Sequence, residues 1–210
     1  FNKNKDDNQL RFNLAVIQQS LNLNAEAINN YKFLINESFN HKALVNLYLL
    51  YIKEGKFSNA LTYINKLIGL GNKTDLIVKD KAFVLYKLNH FEESIKLCKK
   101  FLEDYDDINF INILGLNYLE QKKYDAAKET LKKGLKINEN SAIILNSLGR
   151  LYHELRNSKY AEYYLVKAYN IEKNSYEILN NLAGFYREEG EYEKSITFYQ
   201  EALKINPQNS

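Results

Sequence analysis

The stretch LNNLAGFYREEGEYEKSITFYQEALKINP, Leu179 to Pro207, decides how this chain folds. Leu182 and Tyr186 stand one helical turn apart, with Ala183 beside them, so one face is apolar and one spot on it is small. Gly190 follows where that helix must stop, at a backbone position that tolerates positive φ. Tyr192, Ser195, Tyr199 and Ala202 then mark a second helix, and Pro207 ends it. The reading is a pair of helices joined by a tight turn.

The same pair recurs. Thirty-four residues earlier stand Leu148, Gly149, Tyr152, Ala161, Leu165 and Ala168. One step further back are Leu114, Gly115, Tyr118, Tyr124, Ala127, Leu131 and Gly134. Leu47, Tyr51, Gly55, Phe57, Ala60, Ile64 and Leu67 fall on the same offsets. The segment with Ala82, Leu85, Phe91, Ser94, Cys98 and Phe101 fits after a one-residue deletion in its turn. A weaker copy runs through Leu14, Ala15, Ala27, Tyr31 and Leu34. A fixed period of this length is the signature of a stacked repeat architecture. The division is a polar extension over 1–7, a degenerate first repeat over 8–40, and repeats over 41–74, 75–107, 108–141, 142–175 and 176–209. Residues 1–210 then form a single all-α domain.

This pattern resembles the tetratricopeptide repeat along nearly the whole chain. Leu179 stands where the family has Trp and Ser195 where it has Ala, while Asn72, Glu139 and Lys173 replace the terminal Pro in earlier repeats. The resemblance implies a right-handed superhelix, an α-solenoid of six helix-turn-helix repeats. Independently of the name, Gly115, Gly149 and Ala183 on first helices, with Ala60, Ala127 and Ala161 on second helices, allow close helix approach. Each pair leaves an apolar face that only a neighbour can cover.

Composition narrows the function. Hydrophobic residues at 45% and charged residues at 26% describe a folded protein rather than a disordered one. The net charge is only +3, and the densest basic stretch, Lys122 to Lys136, is interleaved with Asp125 and Glu129. That argues for a solvated helix face and against a nucleic-acid partner. No apolar run reaches the length of a membrane span, so no membrane insertion is expected. The lone Cys98 supports neither an intrachain disulfide nor a Cys-based metal site; it suits the cytoplasm, the favoured reading, or a periplasm. His41, His90 and His153 fall at unrelated offsets. No nucleophile–base pair, metal site or cofactor site emerges, and the chain is expected not to be an enzyme.

The remaining expectation is binding. In proteins like this one, the first helix of each pair lines a concave groove. Asn112, Asn146 and Asn180 hold one position in three successive repeats, and an Asn side chain can pair with the backbone of an extended peptide through both donor and acceptor. Some family members carry an asparagine ladder of this kind, usually one position later. The expected groove also contains Asn109, Arg150, His153 and Arg187, and a more apolar part with Lys79, Phe83 and Tyr86. The family's clamp for a chaperone's C-terminal carboxylate is present only in fragments, Lys42 with Asn46, Lys79 and Arg150. The function expected is a protein–protein scaffold or adaptor that takes a peptide or helical segment of its partner in the groove. The alternative is an arm of a larger enzyme, since such arrays precede glycosyltransferase and sulfotransferase domains in some proteins. After Pro207 only three residues remain, with no polar capping helix, and Phe1 is no initiator methionine. A longer gene product, or end-to-end self-association through the last repeat, is therefore expected.

Overall fold

The computed structural model describes residues 3–38 and 40–205. Phe1 and Asn2 of the polar extension, the Pro207 stop and the tail after it lie outside the described residues. Among the described residues every regular element is helical. The pairs are α1 (Lys3–Ser20) with α2 (Asn24–Ser38), α3 (His41–Lys53) with α4 (Phe57–Gly69), and α5 (Asp75–Lys87) with α6 (Phe91–Leu102). They continue as α7 (Ile108–Glu120) with α8 (Tyr124–Ile137), α9 (Ala142–Glu154) with α10 (Ser158–Ile171), and α11 (Tyr176–Glu188) with α12 (Tyr192–Ile205). The polar extension is not separate from the first helix, which starts at Lys3. Nothing between Lys3 and Ser20 is Gly or Pro, so no residue there breaks the helix before Leu21. No described helix is long and apolar enough to cross a membrane.

Starts and stops are chemically encoded. Asn40, Thr74, Asp107, Asn157 and Ser175 each accept a hydrogen bond from a backbone N–H of the following helix through a side-chain oxygen, satisfying donors the first turn leaves open. All six turns close in the same way. Asn22, Gly55, Asn89, Lys122, Arg156 and Gly190 have φ between 55° and 81°. The residue after each donates to a carbonyl five back, as in Asn157 N–H to the Tyr152 carbonyl and Glu191 N–H to the Tyr186 carbonyl, both 2.9 Å. Only two of the six are glycine.

The chain divides into two compact units, Phe1–Ser94 and Ile95–Ser210. In the first, Leu44, Leu47, Leu50, Ile64 and Leu67 form a core with Tyr31 and Tyr48. Tyr48 occupies the position that is Gly115 or Gly149 in later repeats. It is fully buried, and its hydroxyl donates to Asp80 Oδ2 at 3.1 Å. Burial raises the Asp80 carboxyl above its ordinary value, against the pull of that hydrogen bond and of Lys79. In the second unit, Leu131, Leu145, Leu148, Leu165 and Leu182 pack around Gly115 and Gly149. Ser94 and Ser195, standing where other repeats carry Ala, are buried and satisfied: each hydroxyl donates to the carbonyl of the facing Ala82 or Ala183 at 2.8 Å.

Candidate binding face of the first helices

Within the second unit, the facing sides of α7, α9 and α11 carry charges that pair from one repeat to the next. Arg150 on α9 donates to Glu120 Oε1 on α7 at 3.0 Å. Glu188 at the end of α11 meets one histidine and two arginines. His153 Nε2 lies 3.1 Å from its Oε2 without forming a hydrogen bond. Arg156 Nη1 is 3.5 Å from Oε2 and Arg187 Nη2 is 3.9 Å from Oε1. The His153 ring meets the Phe185 ring edge-on at 5.7 Å, which fixes its orientation. Between repeats five and six these groups border a cleft of about 360 Å³, lined by Arg150, His153, Asn180, Gly184, Arg187 and Tyr199.

Four of the expected groove residues, Arg150, His153, Asn180 and Arg187, therefore converge. Asn109 is exposed on the first turn of α7. Asn112 and Asn146 behave otherwise. Both are buried, and their carbonyl oxygens are taken by the next repeat: Ser147 Oγ donates to Asn112 Oδ1 at 2.6 Å and Asn181 Nδ2 donates to Asn146 Oδ1 at 2.9 Å. In repeats four and five, stacking of the next repeat covers this position. The expected row of three open amides is thus reduced to Asn180, which is exposed. Glu188, on the same groove face, joins His153 to Arg156 and Arg187, while Ser147 and Asn181, one position after the row, occupy the carbonyls of Asn112 and Asn146.

The first unit offers a different surface. Phe83 is half-buried and meets Phe57 edge-on at 6.2 Å, with the Lys87 ammonium 5.4 Å above its ring. Tyr86 is buried, so it supports this face more than it presents to it. Lys79 is half-buried beside Asp80. In the same unit, Phe12, Lys42, Val45, Asn46 and Leu76 border a largely apolar cleft of about 370 Å³. The two units thus present unlike chemistry, apolar with scattered cations in one, paired charge and amide in the other.

Two family models, both described as Tetratricopeptide repeat, match residues 108–141 and 176–209. Among solved structures, a tetratricopeptide repeat protein from Parabacteroides merdae superposes with a TM-score of 0.86 at 16% identity, covering 96% of this chain and 80% of its own. The type IV pilus biogenesis factor PilW gives 0.68 at 16% identity over 97% of this chain and 94% of its own. The APC/C hetero-tetramer Cut9–Hcn1 gives 0.69 at 16% identity, covering 96% of this chain but 41% of that one. At these identities the likeness is one of fold. No curated protein matches the sequence.

Proposed function

Because the chain is a tetratricopeptide repeat protein, we propose that it is a scaffold whose first-helix faces bind a segment of another protein, extended or helical, without making or breaking covalent bonds. The observation that carries this reading is the cleft between repeats five and six, where Arg150, His153, Asn180 and Arg187 converge with Glu188. Its polar groups offer hydrogen bonds to a backbone, and Arg187 offers charge for an acidic side chain. The apolar cleft of the first unit, lined by Phe12, Val45 and Leu76, would take hydrophobic side chains of a partner. This is recognition by shape, apolar contact and charged hydrogen bonds, the means by which folded domains hold peptide segments.

The test is a displayed library of short peptides selected on the parent chain and counter-selected on Arg150→Ala/Arg187→Ala. A charged hydrogen bond is worth about 1.5–3 kcal/mol. Peptides held by either arginine should therefore weaken tenfold or more on the variant. A library that enriches nothing on the parent, or the same peptides equally on both proteins, would refute the reading.

A further inference from the structure

Counted from each repeat start, the eleventh residue, on the first helix, has a regular partner in the twenty-third, on the second. In the first repeat Gln18 Oε1 accepts a hydrogen bond from Asn30 Nδ2 at 2.8 Å. In the second, Tyr51 stacks on Tyr63 with ring centroids 5.8 Å apart. Tyr152 stacks on Tyr164 in the fifth at 5.4 Å, and Tyr186 on Phe198 in the sixth at 5.7 Å. The third has leucine at both positions, Leu85 and Leu97, and Leu85 is buried. Covered in this way, Tyr51, Tyr152 and Tyr186 are only 3%, 7% and 5% exposed.

Repeat four breaks the pairing. Its tyrosine is Tyr118, but the twenty-third residue is Thr130, which has no ring to lay on it, and Tyr118 is left half-buried. Repeat five adds a second ring, Tyr160, stacked on Tyr152 at 5.1 Å, where repeat four has only Ala126. These small residues leave a cleft of about 710 Å³ between the second helices α6 and α8. Ile111, Leu114 and Tyr118 of α7 floor it, and Ala126 and Thr130 line the α8 side. Its size suits a bound organic group. Every lining residue lies in the second unit, and none belongs to the cleft around Arg150 and His153.

Charge distinguishes the two ends of this cleft. The Lys99 ammonium on α6 lies 5.8 Å from the Tyr118 ring centroid, and among the described residues it pairs with no carboxylate. Glu129, on the rim, is already paired with Lys133 at 3.5 Å. Glu103, Asp106 and Lys136 line the end where α7 begins, whereas Tyr118 stands in its last turn. By helix rise, roughly 15 Å separates those groups from the ring. The ring end therefore carries net positive charge, supplied by Lys99, beside an aromatic face that the chain itself leaves uncovered.

We propose that this cleft holds an aromatic side chain of a partner protein, laid on Tyr118 as Tyr164 is laid on Tyr152, with a carboxylate beside it in the partner's sequence reaching Lys99. The ring supplies from outside what the second helix supplies in repeats two, five and six, and Ala126 and Thr130 make room for it. The proposal rests on the scaffold reading but not on its first-helix cleft. It is a second recognition site, on the second helices.

A displayed library of short peptides, selected on the full chain and counter-selected on Thr130→Phe, tests this. The added ring should lie on Tyr118 as Phe198 lies on Tyr186, so Thr130→Phe should keep its helical circular dichroism and melt at or above the parent's midpoint. Peptides lost on the variant should carry an aromatic residue next to Asp or Glu. Synthesised and followed by fluorescence anisotropy, they should bind Thr130→Phe and Lys99→Glu about tenfold or more weakly than the parent. They should bind Arg150→Ala/Arg187→Ala as well as the parent, so this site and the first-helix cleft can fail separately. A counter-selection that removes nothing, selected peptides without an aromatic residue, or affinity unchanged by Lys99→Glu overturns the proposal. So does a lowered midpoint for Thr130→Phe, which would show that no ring fits against Tyr118.

Discussion

Gly149→Ala tests whether close helix approach, rather than helix propensity, governs the hairpins. A Cβ at Gly149 would lie 2.5 Å from Leu165 Cγ, 2.6 Å from its Cδ2 and 3.2 Å from its backbone nitrogen. The first two atoms belong to a fully packed side chain, and the third to the helix itself, so rotating Leu165 does not relieve the contact. Overpacking of this kind costs about 1–3 kcal/mol. Replacing Gly by Ala within a helix returns about 0.5–1 kcal/mol. The net expectation is a loss of up to about 2.5 kcal/mol, centred on about 1 kcal/mol, after the two are combined. Gly184→Ala is the control, because the nearest atom to its Cβ would be the Tyr199 hydroxyl at 3.9 Å, an ordinary contact. There only the propensity term acts, and stability should rise by about 0.5–1 kcal/mol. Urea unfolding followed by circular dichroism reads both, with midpoints compared instead of extrapolated energies because repeat arrays depart from two-state behaviour. Adding Leu165→Ala to Gly149→Ala should cost less than the sum of the single changes, since the clashing atoms are then gone. A Gly149→Ala midpoint at or above the parent's, or a shift of the same sign at Gly184, would refute the argument.

Three further outcomes follow from the same geometry. Arg156 sits at φ 55°. The left-handed region costs a non-glycine residue about 1–2 kcal/mol against about 0.5–1 for glycine's entropy, so Arg156→Gly should raise the thermal midpoint, and a fall would show that its contact with Glu188 outweighs the strain. Burial raises the Asp80 carboxyl above 3.8, so the fold holds that proton more tightly than the unfolded chain does. This group's contribution is therefore most favourable at acid pH and is lost as pH rises through its raised value. Asp80→Asn, which still accepts from Tyr48, should be at least as stable as the parent at neutral pH and lack that decline; lower stability at neutral pH would show that the charge itself is stabilising. Ser195→Ala should cost about 0.5–1.5 kcal/mol, since one buried hydroxyl-to-carbonyl bond is removed without a cavity larger than an oxygen, and equal unfolding midpoints would contradict that role.

The six hairpins were legible because large and small residues alternate along a fixed period, as at Leu148, Gly149 and Tyr152. The turns were legible only at Gly55 and Gly190. Asn22, Asn89, Lys122 and Arg156 adopt the same left-handed backbone, yet the sequence carries no glycine there to announce it. What holds them is the pair of backbone bonds closing each helix, which any residue but proline can make at a modest cost in strain. Tyr48 escaped the pattern for the opposite reason. A bulky residue at a position read as small is accommodated because its hydroxyl finds Asp80 in the next repeat. The candidate face was partly legible: helical periodicity places Arg150, His153, Asn180 and Arg187 on first helices, and they do meet around one cleft.

The ladder was the harder inference, since repeat spacing tells which residues are equivalent but not which of them the neighbour covers. In repeats four to six, neighbouring hairpins meet with the fifth residue of one against the sixth of the next, thirty-five apart rather than thirty-four, as Asn112 with Ser147 and Asn146 with Asn181 show. That offset makes one period do two jobs, and substitution can separate them. Asn112→Ala or Asn146→Ala strips a buried partner from Ser147 or Asn181 and should lower stability by about 1–3 kcal/mol. Asn180→Ala removes an exposed amide and should leave stability within about 0.5 kcal/mol. If a bound peptide is weakened by Asn180→Ala while the unfolding midpoint holds, the amide belongs to recognition. If only the two buried changes weaken the peptide, and in proportion to lost stability, the row of asparagines is a seam between repeats and the partner's contacts lie with the arginines.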